Sequence, residues 1–598
     1  MGLLDNPIIY LTRLMWKYSK GNRKSVIFYF TLFIFANLIG LLDPLILAKI
    51  LNIIQEQGIT AQNYLTIIGY ISLFIAVSIG FWIFHGPARY IEEKNAFSVR
   101  ANYKKYLIDG TMQLSANWHS NHHSGDTIDK IEKGTTALYN YSGETFLVIE
   151  TIIKLIGSYI ALAYFNLHSL YIVFFIVILT VYIIITFDKK LVKQYIGLNK
   201  YENKISAKIF DVISNITTVI ILRIQKLVSK DIFRKIMAPF SLYKRNLKLK
   251  ETKWFFVSMC STLLTFLVLS SYIYSNFKAG NMILVGTIAA LSGYVSKINN
   301  LFFRFAYKYG AIVKQRTRVS NAQEISDVFD KKKKVEQYPL KDWNKIEVKN
   351  LKFSYHTKKG ANLHIDNVSF DINRKEKIAF IGESGSGKTT LLKVIRELYH
   401  PNQLNLFVDN QKIEHGFKAI SSHISLIPQD PEIFSTTIKN NITMTLPFTL
   451  DEIKKYTNMA MFTKVIKRLP KKINSSIFEK GVNLSGGEKQ RLALSRGLLA
   501  SIDKQILLLD EPTSSVDAKN EMQIYQNIFT KYKNKTIISS IHRLHLLYLF
   551  DRVIFFRNRK IIANGSFRNL LKTSAPFRVL WNKYKRSQWK SKNLVTSP

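Results

Sequence analysis

Nine residues, Gly382-Glu383-Ser384-Gly385-Ser386-Gly387-Lys388-Thr389-Thr390, follow directly on the apolar run Ile378-Ala379-Phe380-Ile381 and constrain this part of the chain more than any other feature. A buried strand, a glycine-rich loop and the start of a helix together let successive backbone N–H groups converge on phosphate oxygens at the positive end of the helix. In that arrangement Lys388 reaches the terminal phosphates and the Thr389 hydroxyl can ligate Mg²⁺. The flanking strand and helix distinguish the stretch from an ordinary Gly-rich turn, so a nucleoside triphosphate is the expected ligand.

The surroundings support an α/β sheet. From Asn344 to about Lys585 short Val/Ile/Leu strands alternate with charged loops, and residues 378–381, 506–509 and 536–541 read as buried parallel strands. Ligands of open α/β sheets bind at the carboxyl ends of such strands. Asp510, after Ile506-Leu507-Leu508-Leu509, is placed to hold Mg²⁺ through water, and Glu511 to polarise the water that attacks a γ-phosphate. His542 follows the last strand and can orient that water, Gln429 offers a neutral side chain to Mg²⁺, and Tyr355 can stack on an adenine ring. A lone His or Gln after a strand is usually structural; here the order and spacing of the whole set carry the reading. The turn Leu484-Ser485-Gly486-Gly487-Glu488-Lys489-Gln490-Arg491 opens a helix with no strand feeding it, a second anion site.

The first half is of another kind. A chain of 598 residues exceeds one core, and a mean hydropathy of +0.02 averages long apolar runs in the first half with the polar second half. Six segments, 26–47, 64–84, 145–165, 170–187, 254–274 and 282–303, are long enough to span a bilayer, for which about 20 apolar residues suffice. Lys17, Lys20, Arg23 and Lys24 precede the first, whereas loops 52–63 and 166–169 have no Lys or Arg. The two long connections, 87–144 and 188–253, are dense in both. By the positive-inside rule these connections and both termini are cytoplasmic, as in a multi-pass protein of the cell membrane, the bacterial inner membrane being the expected one. Both connections look helical, so spans two to five should continue beyond the membrane, with turns at 118–126 and 210–219.

A net charge of +44 would suggest nucleic acid in a soluble protein. Cytoplasmic segments of membrane proteins concentrate such charge, and heavy use of Lys, Ile and Asn reflects a biased genome, so no nucleic-acid partner is expected. The single cysteine, Cys260, excludes an internal disulfide and a multi-Cys metal site. Residues 1–22 carry Asp5 and scattered polar residues before any long apolar stretch, so no signal peptide is expected, and Asn6 spoils a myristoylation pattern. His119, His122 and His123 have a spacing that can present a metal, although a polar contact surface is the commoner use.

Lys297 and Arg304 in the sixth span, with Lys308 beyond, fall within roughly 40° on a helix. Cations at that depth usually face a water-filled interior, which would make this stripe, with Lys154 of the third span, a cavity wall for anionic cargo. The alternative is that Arg304 and Lys308 snorkel to the headgroups. Asp43-Pro44 reads as a kink with a polar partner, residues 326–343 as a linker, and 586–598 as a basic tail.

With its motifs in this order the chain closely resembles the ATP-binding cassette (ABC) superfamily. Walker A is Gly382 to Thr389, the Q-loop Gln429, the signature Leu484 to Gln490, Walker B Ile506 to Asp510 with Glu511 following, the D-loop Ser514 to Asp517, the H-loop His542 and the A-loop Tyr355. Glu488 stands where Gln is commoner, and Glu479-Lys480-Gly481 resembles an exporter-specific element. Six spans before the cassette extend the resemblance, to half-size ABC exporters, over nearly the whole chain. No cysteine-protease domain precedes the first span, which argues against a leader-cleaving peptide exporter. The resemblance implies an all-α six-helix membrane domain (1–325) followed by an α/β P-loop NTPase cassette (344–585), with coupling helices at the two cytoplasmic turns. It implies ATP and Mg²⁺, and a dimer in which each ATP lies between the P-loop of one chain and the signature of the other. A homodimer is the economical form and a heterodimer stays open. The implied function is ATP-driven export or flipping of an amphipathic or anionic substrate, a small molecule or lipid. Export of drugs or peptides, or a regulatory membrane ATPase, are the alternatives.

Overall fold

The computed structural model describes residues 6–329, 336–357, 360–430, 432–477 and 484–595, with the side chains of 356–363 and 587–595 left aside. The chain divides into two compact units, the first of residues 1–114 and 118–332, the second of the remainder.

The first unit is helical. It opens with α1 (Pro7–Tyr18), which starts where Asn6 accepts the Ile8 N–H at 2.9 Å and where proline is tolerated, and it buries one face through Leu11, Leu14, Met15 and Tyr18. The expected first span is two helices, α2 (Arg23–Ile39) and α3 (Asp43–Gln57), rather than one kinked rod. Pro44 sits in the first turn of α3, so the chain breaks over residues 40–42 just before it.

The next helices are α4 (Tyr64–Met112), α5 (Ala116–Asn121), α6 (Ser124–Ser142), α7 (Thr145–Phe165), α8 (His168–Ser214), α9 (Ile216–Ile221), α10 (Gln225–Met237), α11 (Phe240–Ala279) and α12 (Val285–Ser326). At 1.5 Å per residue α4 runs about 73 Å, more than twice the roughly 30 Å of a hydrocarbon core; α8 and α11 are likewise long, as expected. Span three differs, because α6 stops at Ser142 and α7 begins at Thr145. The turns expected within the two long connections hold the short helices α5 and α9.

Among the described residues five helical stretches are long and apolar enough to cross a membrane, Arg23–Gln57, Tyr64–Met112, Ser124–Phe165, His168–Ser214 and Gln225–Ala279. On α4, Ile75, Ile79, Trp82 and Ile83 are each at least 57% exposed, a surface suited to lipid. The sixth expected span is one helix from Val285, but Ser292, Lys297, Asn299, Asn300 and Arg304 lower its apolarity below that of the others. Leu291, Tyr294, Val295, Ile298, Leu301 and Phe302 bury its inner stripe. It passes through two cores, one with α7, α8 and α11, the other with α1, α2, α4 and α6.

The second unit has two sheets. An antiparallel one orders β2-β1-β4-β5, from β1 (Lys345–Thr357), β2 (Gly360–Asn373), β4 (Gln403–Val408) and β5 (Gln411–Lys412). The other orders β10-β9-β3-β8-β7-β6 and comprises β3 (Lys377–Gly382), β6 (Ile424–Ile427), β7 (Ile506–Asp510), β8 (Thr536–Ser540), β9 (Arg552–Arg557) and β10 (Lys560–Gly565). All its pairings are parallel except β10 with β9. Register sets Phe380 and Asp510 both against Ser540, which aligns the carboxyl ends of β3, β8 and β7. The helices are α13 (Lys388–Ile395), α14 (Phe417–Ile420), α15 (Ile438–Thr443), α16 (Leu450–Met459), α17 (Thr463–Arg468), α18 (Gly486–Ala500), α19 (Ala518–Lys531), α20 (Phe567–Thr573) and α21 (Ala575–Val595). One core fills the space between the two sheets and a second joins the parallel sheet to the helices. Residues 586–595 of the expected basic tail continue α21. Lys331 to Lys334 of the linker, and Glu479-Lys480-Gly481, lie outside the described residues.

Candidate functional site

The phosphate loop leaves the fully buried β3 and enters α13. Gly387, the residue before the helix, has φ +104°, and a Cβ there would lie 2.8 Å from the His364 carbonyl oxygen; Gly382 has φ +150° and would meet the Phe556 carbonyl at 2.3 Å. Glycine is required at both on backbone and space alike. Lys388 is buried and donates to the loop carbonyls of Gly382 (2.8 Å) and Glu383 (3.1 Å). Burial pushes its ammonium below the usual lysine range, opposed by the carboxylates of Glu511 and Asp510. The buried Ser386 hydroxyl has no hydrogen-bond partner among the described residues, so the loop keeps polar capacity suited to a phosphate.

Asp510 ends β7 beside this loop, and Glu511 follows it. Thr389 Oγ1 donates to Asp510 Oδ1 at 2.9 Å, and Gln429 Nε2 donates to Glu511 Oε2 at 2.9 Å. Burial raises the Asp510 carboxyl above its ordinary range against the Thr389 hydrogen bond. Glu511 has φ +43°, the left-handed region that non-glycine residues seldom occupy, a strain common at functional positions. His542 and Glu511 line one cavity of about 240 Å³ with Ser514, Ser540 and Arg543. His542 also faces Gly382 and Glu383 across a second cavity, of about 660 Å³, walled by α21. Ser384 and Gly385 border a third with Arg557 and Arg559. Tyr355 packs edge-to-face with Phe353, His364 and Tyr399.

Ser485 caps α18, accepting the Glu488 N–H while Glu488 accepts the Ser485 N–H. Two residues outside the expected set organise these loops. Gln490 Nε2 donates to Ser514 Oγ (2.7 Å) and to the Gln429 carbonyl (3.3 Å), and its Oε1 accepts the Ser515 N–H (2.8 Å). Glu521, buried on α19, accepts from Thr513 (2.7 Å) and Arg543 (3.2 Å). Gln490 lay within the signature and could have been found; Glu521 carries no local signal.

The membrane charges are paired rather than bare. Lys154 and Arg304 share Glu150 at 2.6 and 2.7 Å, Lys308 reaches Glu144 at 2.7 Å, and Lys297 lies 3.8 Å from Asp43 and donates to the Gly40 carbonyl at 3.0 Å. Lys297 is thus drawn to the α2–α3 break, away from Arg304. Arg304 and Lys308 border a cavity of about 460 Å³ with Ile9 of α1 and Val148 and Ile152 of α7. The histidines at the turn around α5 diverge: His119 contacts the Thr111 carbonyl, His122 stacks on Trp118, and His123 lies 3.5 Å from Asp211. No cluster of three metal-ligating side chains occurs among the described residues.

The family model of the ABC transporter transmembrane region matches residues 26–298, and that of the ABC transporter matches residues 365–514. An export ATP-binding/permease protein of Rickettsia bellii is 37% identical over 240 residues, 40% of this chain and 41% of that protein. The chain thus matches about two fifths of the length of the first curated relatives. An ATP-dependent lipid A-core flippase of Idiomarina loihiensis is 25% identical over 567 residues, 90% of this chain and 92% of the flippase. In fold, the chain is similar to a bacterial Atm1-family ABC exporter solved with ATP bound, with TM-score 0.84, 20% identity, and coverage of 94% of this chain and 99% of that one. With a helical membrane region matched by one of these models and, after it, a nucleotide-binding cassette matched by the other, the chain belongs to the ABC transporters.

Proposed function

We propose that this protein exports or flips an amphipathic substrate across the cell membrane, driven by ATP hydrolysis. The observation that carries the reading is the pair of hydrogen bonds Thr389–Asp510 and Gln429–Glu511, which set Walker A, Walker B and Q-loop side chains together in a chain that also holds long apolar helices. In this reading Ser384, Gly385, Ser386, Gly387 and Thr390 cradle the phosphates, Lys388 neutralises them and Tyr355 takes the adenine. Thr389, Asp510 and Gln429 would hold Mg²⁺, and their oxygen-rich donor set suits it. A Mg²⁺ ion bound by these residues would supply charge neutralisation to the phosphates during transfer. Glu511 acts as base to the attacking water, His542 orients that water, and Ser485, Gly486 and Gly487 receive the phosphates of a nucleotide bound to a partner, most simply a second copy of this chain. The termini and cassette lie on the cytoplasmic side of a bacterial inner membrane.

For cargo we propose a lipid or other amphiphile with negative charge. The cluster at α3, α7 and α12 sets four cations, Lys154, Lys297, Arg304 and Lys308, against three carboxylates, Asp43, Glu144 and Glu150, leaving one positive charge in surplus. The name of the Idiomarina relative agrees with a lipid. The test is ATPase activity of the purified protein in lipid, wild type beside Glu511→Gln, titrated with lipids, peptides and drugs. Stimulation by anionic lipids that vanishes in the variant is expected; stimulation by neutral or cationic drugs alone would overturn the cargo class, and wild-type activity without any cargo-dependent vesicle uptake would overturn transport.

A further inference from the structure

Glu488 is buried, 8% exposed, at the third position of α18. Both its carboxylate oxygens are engaged. Oε2 accepts the Ser485 N–H at 2.9 Å, and Oε1 pairs with the Arg468 guanidinium at the end of α17. Burial alone would raise the Glu488 carboxyl, but the hydrogen bonds from Ser485 and Arg468 outweigh it and hold the group below its usual range. It is therefore a carboxylate at neutral pH.

That charge acts in two directions. An acidic side chain in the first turn of a helix is favourable, and here it closes the capping box. It also lies within one turn of Gly486 and Gly487, whose first-turn N–H groups have no partner within the helix and are the donors an anion would take. A glutamine would close the same box with no charge. The glutamate therefore stabilises the helix and repels an anion at its tip.

We propose that Arg468 is a positioning residue of the signature: it neutralises Glu488, so that the carboxylate caps α18 without repelling the nucleotide phosphates that Gly486 and Gly487 receive. Arg468 comes from α17, and its side chain is 65% exposed, so it holds little else in place. The inference rests on the nucleotide reading above.

The experiment measures the KM for ATP of the full chain in lipid vesicles. Arg468→Gln should raise KM about fivefold to tenfold at low salt, the scale of one uncompensated charge in a partly solvated site, with a smaller change in kcat. The gap should narrow as KCl rises from about 0.05 to 0.5 M, because salt screens the repulsion and would not repair a packing defect. In a Glu488→Gln background the same Arg468→Gln change should shift KM less than about twofold. Wild-type KM in Arg468→Gln, equal penalties in both backgrounds, or indifference to salt would each overturn the role of Arg468. A wild type that turns over no ATP would instead sink the nucleotide reading and this inference with it.

Discussion

Lys253 Nζ lies 3.0 Å from Asp188 Oδ1 and donates to the Ala306 carbonyl at 2.7 Å, with both charged side chains almost wholly buried. The contact ties α11, α8 and α12 together at one level. Asp188→Asn should lower stability by about 3–5 kcal/mol, because it strands a buried cation, whereas Asp188→Leu with Lys253→Met should lose far less. Thermal unfolding in nanodiscs measures both. A double variant as unstable as the single one would refute this account.

Thr389→Val keeps shape and removes the hydroxyl that Asp510 accepts from. The Mg²⁺ concentration for half-maximal ATPase activity should rise at least about tenfold, as when a ligand loses its supporting hydrogen bond. A Mg²⁺ titration unchanged from wild type would remove Thr389 from the metal site.

Gly387→Ala places a methyl 2.8 Å from a backbone oxygen at φ +104°. Strain of about 1–3 kcal/mol falls on the loop itself. Nucleotide affinity should therefore drop about tenfold or more while the helix content seen by circular dichroism stays constant; full affinity would show that the loop relaxes.

Arg304 and Lys297 should separate in their effects. Arg304→Gln should remove the surplus charge and cut stimulation by anionic amphiphiles about fivefold or more, the scale of one charge contact. Lys297, held by Asp43 and the Gly40 carbonyl, should act on the stability of the α2–α3 break when changed to Gln. Equal loss of stimulation in both variants would restore a common cavity stripe.

Local pattern carried much of this molecule. The P-loop, the strand ending in Asp510 and the long apolar runs were legible because each depends on residues close in sequence. The partners of Arg304 and Lys297 were not, since Glu150 and Asp43 meet these α12 side chains through helix packing alone, whereas Lys154 and Glu150 stand four residues apart on α7. Glu521 stayed hidden for the same reason. The chain beyond residue 585 read as a tail because its charge drew the eye, yet no Pro or Gly interrupts it before Pro598, and Lys and Arg are good helix formers, so α21 runs on to Val595.

The single rod α12 belongs to both cores of the helical unit. Over 42 residues, with no proline inside, it is about 63 Å of stiff material. Pivoted near one end, a tilt of about 5° sweeps the other through roughly 5 Å, one helical turn. Close-packed side chains have little slack to absorb such a sweep, so the layer around Leu291 and the layer around Val319 lie toward the two ends of one lever.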